Sequence, residues 1–90
     1  GMDAIYKKLI YPEYAEKNNI EGTVKIEASI NEFGDVTEAN VLEGIGYGCD
    51  EAARFAIYYA KFKPALQKGN PVKMKIIIPV EFKLNKTSEK

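Results

Sequence analysis

Histidine and tryptophan are absent from this 90-residue chain, and cysteine occurs once, as Cys49. Without histidine the chain lacks the commonest metal ligand and the commonest general base near neutral pH. A lone cysteine excludes a disulfide within the chain. Net charge is missing too, because 13 basic and 13 acidic residues cancel. Their signs are interspersed, so no global field gathers phosphate backbones or anionic lipid, and nucleic acid is not an expected partner. Uninterrupted apolar runs such as Ile76 to Val80 are far too short for a spanning helix, and no basic-then-apolar leader opens the chain. Gly1 ahead of Met2 reads as a cleavage scar from expression, so the natural protein is expected to continue upstream and to carry any address there.

What remains is an ordinary globular balance, 46% hydrophobic and 29% charged, in a chain near the small end of what folds as one domain without staples. Residues 12 to 18 suit a short helix: Pro12 fits its first turn, Glu13 and Glu16 its positive end, and Asn18-Asn19 its exit. Lys7 and Lys8 read as a loose or strand-like lead-in. Thr23 to Asn31 alternates strictly, with Val24, Ile26, Ala28 and Ile30 on one face, which predicts a half-buried strand. Asn31-Glu32-Phe33-Gly34-Asp35 supplies a turn, and Val36 to Leu42 resumes an extended pattern through Ala39 and Val41. Val36 is out of phase with those two, so either a bulge intervenes or the strand begins near Thr37.

Asp50-Glu51 fits the first turn of a second helix running to about Lys61, with Cys49, Ala53, Ala56, Ile57 and Ala60 as its inner stripe. Phe55, Tyr58, Tyr59 and Phe62 form a further apolar stripe, which either packs beneath the first helix, the preferred reading, or makes a homodimer or partner surface. Pro64 is read as the helix stop and Lys68-Gly69-Asn70-Pro71 as a turn. Val72 to Leu84 then alternates as the longest and most apolar strand. Residues 85–90 are a polar tail expected to fray. The order helix, strand, strand, helix, strand predicts an α+β fold, a three-stranded antiparallel sheet with two helices packed on one face.

Candidate chemistry is thin. Cys49 before a helix has the position of an activated thiol but no histidine as its base, and a core role fits it better. Gly44-x-Gly46-x-Gly48 could cradle a phosphate ahead of a helix, yet Asp50 and Glu51 follow at once and would repel an anion, so a glycine-rich turn fits better. Glu13, Glu16, Glu21 and Glu27 show no spacing that predicts a shared cleft. No catalytic residue, metal site or cofactor is expected, and the chain is not read as an enzyme.

Seven segments in order carry a family pattern: Tyr11-Pro12-x-x-Ala15, Ile20-Glu21-Gly22-Thr23-Val24, Gly34-Asp35-Val36, Asp50-Glu51-Ala52-Ala53, Phe62-Lys63-Pro64-Ala65, Gly69-Asn70-Pro71-Val72 and Pro79-Val80-x-Phe82. Over residues 11–84 the chain resembles the TonB C-terminal domain family, with residues 1–10 left as scar and lead-in. It departs from the family's pattern at Lys8-Leu9-Ile10, where Gln-Pro is frequent, and at Ala60, where an aromatic is usual. The resemblance implies a periplasmic domain that takes up a short segment of an outer-membrane transporter, the TonB box, as an added strand. It also implies that the domain pulls with energy relayed from an inner-membrane proton-driven complex through an N-terminal anchor and spacer absent from this chain. The alternative is a non-energising interaction or dimerisation module appended to a membrane sensor or protease.

The resemblance further implies that the last strand lies exposed at a sheet edge. Both backbone groups of a residue in an antiparallel strand point to the same side, and successive residues alternate. Pro79 has no N–H, so it is tolerated where its missing donor faces away from the inner ladder. Lys73, Lys75, Ile77, Pro79, Glu81 and Lys83 should then present their backbone to the outer edge, with Lys73, Lys75 and Lys83 placed to attract an acidic peptide. Lysines and proline on an edge strand also serve simply to prevent aggregation. The resemblance favours peptide addition.

Overall fold

The computed structural model describes residues 2–84. Helices α1 (Met2–Lys8) and α2 (Glu13–Lys17) lead into strands β1 (Gly22–Ile30) and β2 (Val36–Glu43). Helix α3 (Cys49–Tyr58), the short strands β3 (Ala65–Gln67) and β4 (Asn70–Val72), and β5 (Met74–Phe82) follow. The main sheet has three antiparallel strands in the order β2-β1-β5, and β3 and β4 form a separate hairpin. The predicted α+β architecture is therefore present, with one more helix and one more hairpin than expected. The polar tail expected at 85–90, and Gly1, read from the sequence as a scar, lie outside the described residues.

Period-two patterning decides which way the sheet faces. Val24, Ile26, Ala28 and Ile30 of β1 and Ile78, Val80 and Phe82 of β5 are buried, while Lys75, Ile77, Pro79 and Glu81 between them are exposed. The helices cover the buried face. On α3, Cys49, Ala53, Ala56 and Ile57 turn inward, and Ala60 beyond its end is buried with them, as the predicted inner stripe required. Alanine at 53 and 56 lets the helix lie close on the sheet, and Ala60 continues the small-residue contact beyond its end.

Four local expectations are corrected. The lead-in is not loose or strand-like: Met2–Lys8 is helical, with Asp3 in its first turn and Lys7 and Lys8 in its last, matching the helix dipole. Seven residues are too few to hold a helix alone, and the fully buried Ile5 anchors this one to the core. Second, α3 stops at Tyr58 rather than near Lys61, because the chain leaves the helix to meet the β1–β2 turn. Lys61 bridges to Asp35, its ammonium 2.6 Å from the carboxylate, and the Phe62 N–H donates to the Gly34 carbonyl at 2.9 Å. Third, the long strand from Val72 is split. Asn70–Val72 pairs with Ala65–Gln67 across a turn in which Lys68 (φ 51°) and Gly69 (φ 82°) are left-handed, leaving Lys73 between two strands. Fourth, Val41 is 37% exposed, whereas Ala39 is buried. The β1–β2 register shifts between Lys25 and Ile26 and again between Ser29 and Ile30, and the second shift is the irregularity anticipated at Val36.

Gly34 marks the closest approach of the two halves. Its φ is +87°, and a Cβ there would sit 1.9 Å from the Phe62 carbonyl oxygen. Gly46 has a similar φ of +78° with open space around it. Gly46→Ala should therefore cost only the left-handed penalty, about 1 kcal/mol. Gly34→Ala should cost about 3 kcal/mol by adding overpacking to that penalty. Urea unfolding midpoints of the two variants test this ordering.

Candidate functional site at an open sheet edge

β5 has a single neighbour, β1, among the described residues, so its other side is an edge. Two hydrogen bonds fix which backbone groups face it. The Glu81 N–H donates to the Tyr6 hydroxyl of α1 at 3.0 Å, and the Leu84 N–H donates to Glu21 Oε2, on the residue preceding β1, at 2.7 Å. Odd-numbered N–H groups thus point outward and even-numbered ones toward β1, as alternation requires. Pro79, opposite Lys25, has its missing donor on the outer side, where no ladder bond is lost.

Of the sequence-predicted edge residues, Lys75, Ile77, Pro79 and Glu81 lie on β5, and Lys73 and Lys83 flank it just outside. All six are exposed. Ile77, 59% exposed, is the large apolar side chain among them. At the Lys73 end the edge runs into an open depression lined by Ser29, Asn31, Thr37, Lys73 and Lys75. Sequence reasoning missed Tyr6, which occupies the outward N–H of Glu81. Its signal was present in the Asp3 to Lys8 charge pattern of a short helix, which the reading of a loose lead-in passed over.

The aromatic stripe on α3 does not pack beneath the first helix, which corrects the preferred reading. Phe55, Tyr58 and Tyr59 are 54%, 42% and 59% exposed, and Phe62 alone of the four packs against the core. The three exposed rings cluster, Phe55 to Tyr59 at 4.7 Å between centroids and Tyr58 to Tyr59 at 5.1 Å. They line a shallow groove beside Thr37, Glu38 and Ala39 of β2. There Arg54 Nε donates to the Ala39 carbonyl at 2.8 Å and so covers part of the opposite sheet edge.

With this geometry in view, comparison with known proteins is decisive. The family model described as Gram-negative bacterial TonB protein C-terminal matches residues 7–84. The chain belongs to this family. Protein TonB of Vibrio cholerae serotype O1 is 39% identical over 75 residues, which cover 82% of this chain and 31% of that protein. The chain thus spans under a third of that relative's length. The solution structure of a fragment of Helicobacter pylori TonB-CTD superposes with a TM-score of 0.71 at 30% identity, covering 89% of this chain and 85% of that one. A longer fragment of the same H. pylori domain also gives 0.71, at 27% identity, covering 94% of this chain and 78% of that one.

The other candidate features of this TonB C-terminal domain are spent on its own fold. Asp50 Oδ1 accepts the N–H groups of Ile45 and Gly46 at 2.8 and 3.1 Å, so donors that a phosphate would need from the glycine-rich loop are already taken. Among the described residues, no three His, Cys, Asp or Glu side chains gather as a metal site. Cys49 is fully buried, and burial, with the neighbouring Asp50 carboxylate adding to it, pushes its thiol above the ordinary value of 9.0. Burial likewise raises the Tyr11 phenol, whose hydroxyl donates to the Ile20 carbonyl. In both cases the unfolded chain ionises first, so stability present below about pH 9 should fall as pH rises through the thiol's and then the phenol's range. Denaturant midpoints between pH 8 and 11 check the sign. Iodoacetamide should label Cys49 rapidly only in denaturant.

Proposed function

We propose that this domain binds a short extended peptide of an outer-membrane transporter by adding it as a strand to β5. The observation that carries the reading is the open outer side of β5. There the N–H groups of Lys75 and Ile77 and the carbonyls of Lys75, Ile77, Pro79 and Glu81 face outward with no neighbouring strand among the described residues. Affinity then comes mainly from main-chain bonds, each worth about 1 kcal/mol net. Lys73, Lys75 and Lys83 add attraction for an acidic segment. As part of a longer periplasmic protein anchored in the inner membrane, the domain would transmit energy drawn from a proton-driven inner-membrane complex to the transporter. Membership of the TonB C-terminal family supports this coupler role over enzymatic catalysis.

Titration of the 15N-labelled domain with peptides copied from the N-terminal plug segments of the host's outer-membrane transporters tests the reading. Amide shifts should concentrate at Lys75 and Ile77, with the flanking Lys73 and Lys83 following. An absence of shifts with every such peptide, in a monomeric sample, would leave a docking or dimerisation module as the better account.

The exposed rings of Phe55, Tyr58 and Tyr59 support a second, compatible role as a contact surface for another copy of the domain. On this reading mass in solution rises with concentration, and the Tyr58→Ser, Tyr59→Ser double variant stays monomeric. Its unfolding midpoint should move little, since exposed side chains typically contribute within about 0.5 kcal/mol each. A domain monomeric at all concentrations would remove the self-contact.

A further inference from the structure

We propose that Tyr6 is the end stop of the peptide-binding edge: its hydroxyl holds the outward N–H of Glu81 and confines strand addition to the segment from Lys75 to Pro79. The inference rests on strand addition at β5 and deepens it by fixing the length and register of the added strand. Going along β5, the outward donors are Lys75 and Ile77. Pro79 has none, and that of Glu81 is donated to Tyr6 Oη at 3.0 Å. A peptide pairing with this edge finds two successive donors at its Lys73 end and meets a missing and then an occupied donor toward Lys83. Backbone carbonyls of the peptide have partners only opposite Lys75 and Ile77, so those two positions set its register.

The stop is fixed in place by the core. Ile5, adjacent to Tyr6, is fully buried, and α1 lies against α3, so the Tyr6 ring is presented from an anchored helix while remaining 41% exposed itself. Tyr6 also falls just before the segment that matches the family, residues 7–84. The stop predicts that peptide residues beyond Pro79 gain no main-chain donor from this domain, so any donated bond there is left to side chains such as Lys83.

The test uses the unaltered chain, Tyr6→Phe and Tyr6→Ala, each of which keeps Ile5 and hence the anchor of α1; 1H–15N spectra confirm the fold. Without peptide, amide exchange at Glu81 should accelerate about fivefold or more in both variants, with Ile78 and Val80 unchanged. With transporter-derived peptides that shift Lys75 and Ile77, lengthening by two alanines at the end that runs toward Glu81 should leave Kd unchanged in the unaltered domain. In Tyr6→Ala, which removes both hydroxyl and ring, the same extension should tighten binding about fivefold and bring Glu81 into the shifted set. Equal Glu81 exchange in all three proteins would overturn the end stop. So would a lengthened peptide that binds the unaltered domain more tightly and shifts Glu81 as much as Ile77, while leaving strand addition standing. No peptide shift in any of the three would overturn strand addition and the end stop together.

Discussion

The antiparallel ladder between β1 and β5 is the constraint on which the rest of the structure depends. It runs from Gly22 opposite Phe82 to Ile30 opposite Met74 without a register shift. A slip by one residue would turn Ile78, Val80 and Phe82 out to solvent and bring Lys75, Ile77 and Glu81 into the core, so burial holds the register firmly. The same alternation fixes backbone polarity, because the residues whose side chains enter the core are those whose N–H groups face β1. Pro79 is compatible with only one phase of this arrangement. One choice of phase therefore sets the core and, as its complement, the chemistry of the outer edge.

The two edges of so small a sheet are handled differently. At β2 the register shifts twice, and Arg54 reaches across to the Ala39 carbonyl, so the ladder there is irregular and partly covered. At β5 the ladder is regular, and its protection is a missing donor at Pro79, an occupied one at Glu81, and lysines at 73, 75 and 83. The first edge is shaped against any incoming strand. On the proposed reading, the second would reject a long strand while leaving the two donors of Lys75 and Ile77 free, a combination that would protect against open-ended aggregation and keep a short docking segment.

The elements with a clean period were legible in the sequence. β1, the inner stripe of α3 and the in-and-out order of β5 follow from spacing alone, and the absence of an N–H in Pro79 was enough to orient the edge. What escaped reading depended on contacts between distant segments. The end of α3 at Tyr58 is set by pairing of Lys61 and Phe62 with the turn at Gly34 and Asp35, and the break at Lys73 by pairing of Asn70–Val72 with Ala65–Gln67. The aromatic spacing on α3 was read correctly as a stripe but assigned the wrong neighbour, because periodicity gives a face without saying what covers it. Tyr6 escaped for a related reason: the Asp3 to Lys8 charge pattern is compatible with a helix, but so short a helix owes its stability to the burial of Ile5, a contact with distant segments that the pattern does not reveal.

The small number of open groups on β5 also bears on how strongly such an edge can hold. Two outward donors and, with that of Glu81, four outward carbonyls give at most six main-chain bonds. At about 1 kcal/mol net each they supply about 6 kcal/mol, which corresponds to binding no tighter than roughly tens of micromolar before any ordering cost in the peptide. Anything tighter must come from side chains on the polar face. Ile77 is the apolar surface available there, and covering it adds roughly 1 kcal/mol of burial. The lysines mainly raise the rate of encounter. A contact of this kind forms and releases readily, and tension applied along the added strand loads its few bonds in parallel. If the domain acts as the proposed coupler, gripping a transporter and letting it go, a short and bounded edge suits that role better than a long adhesive one.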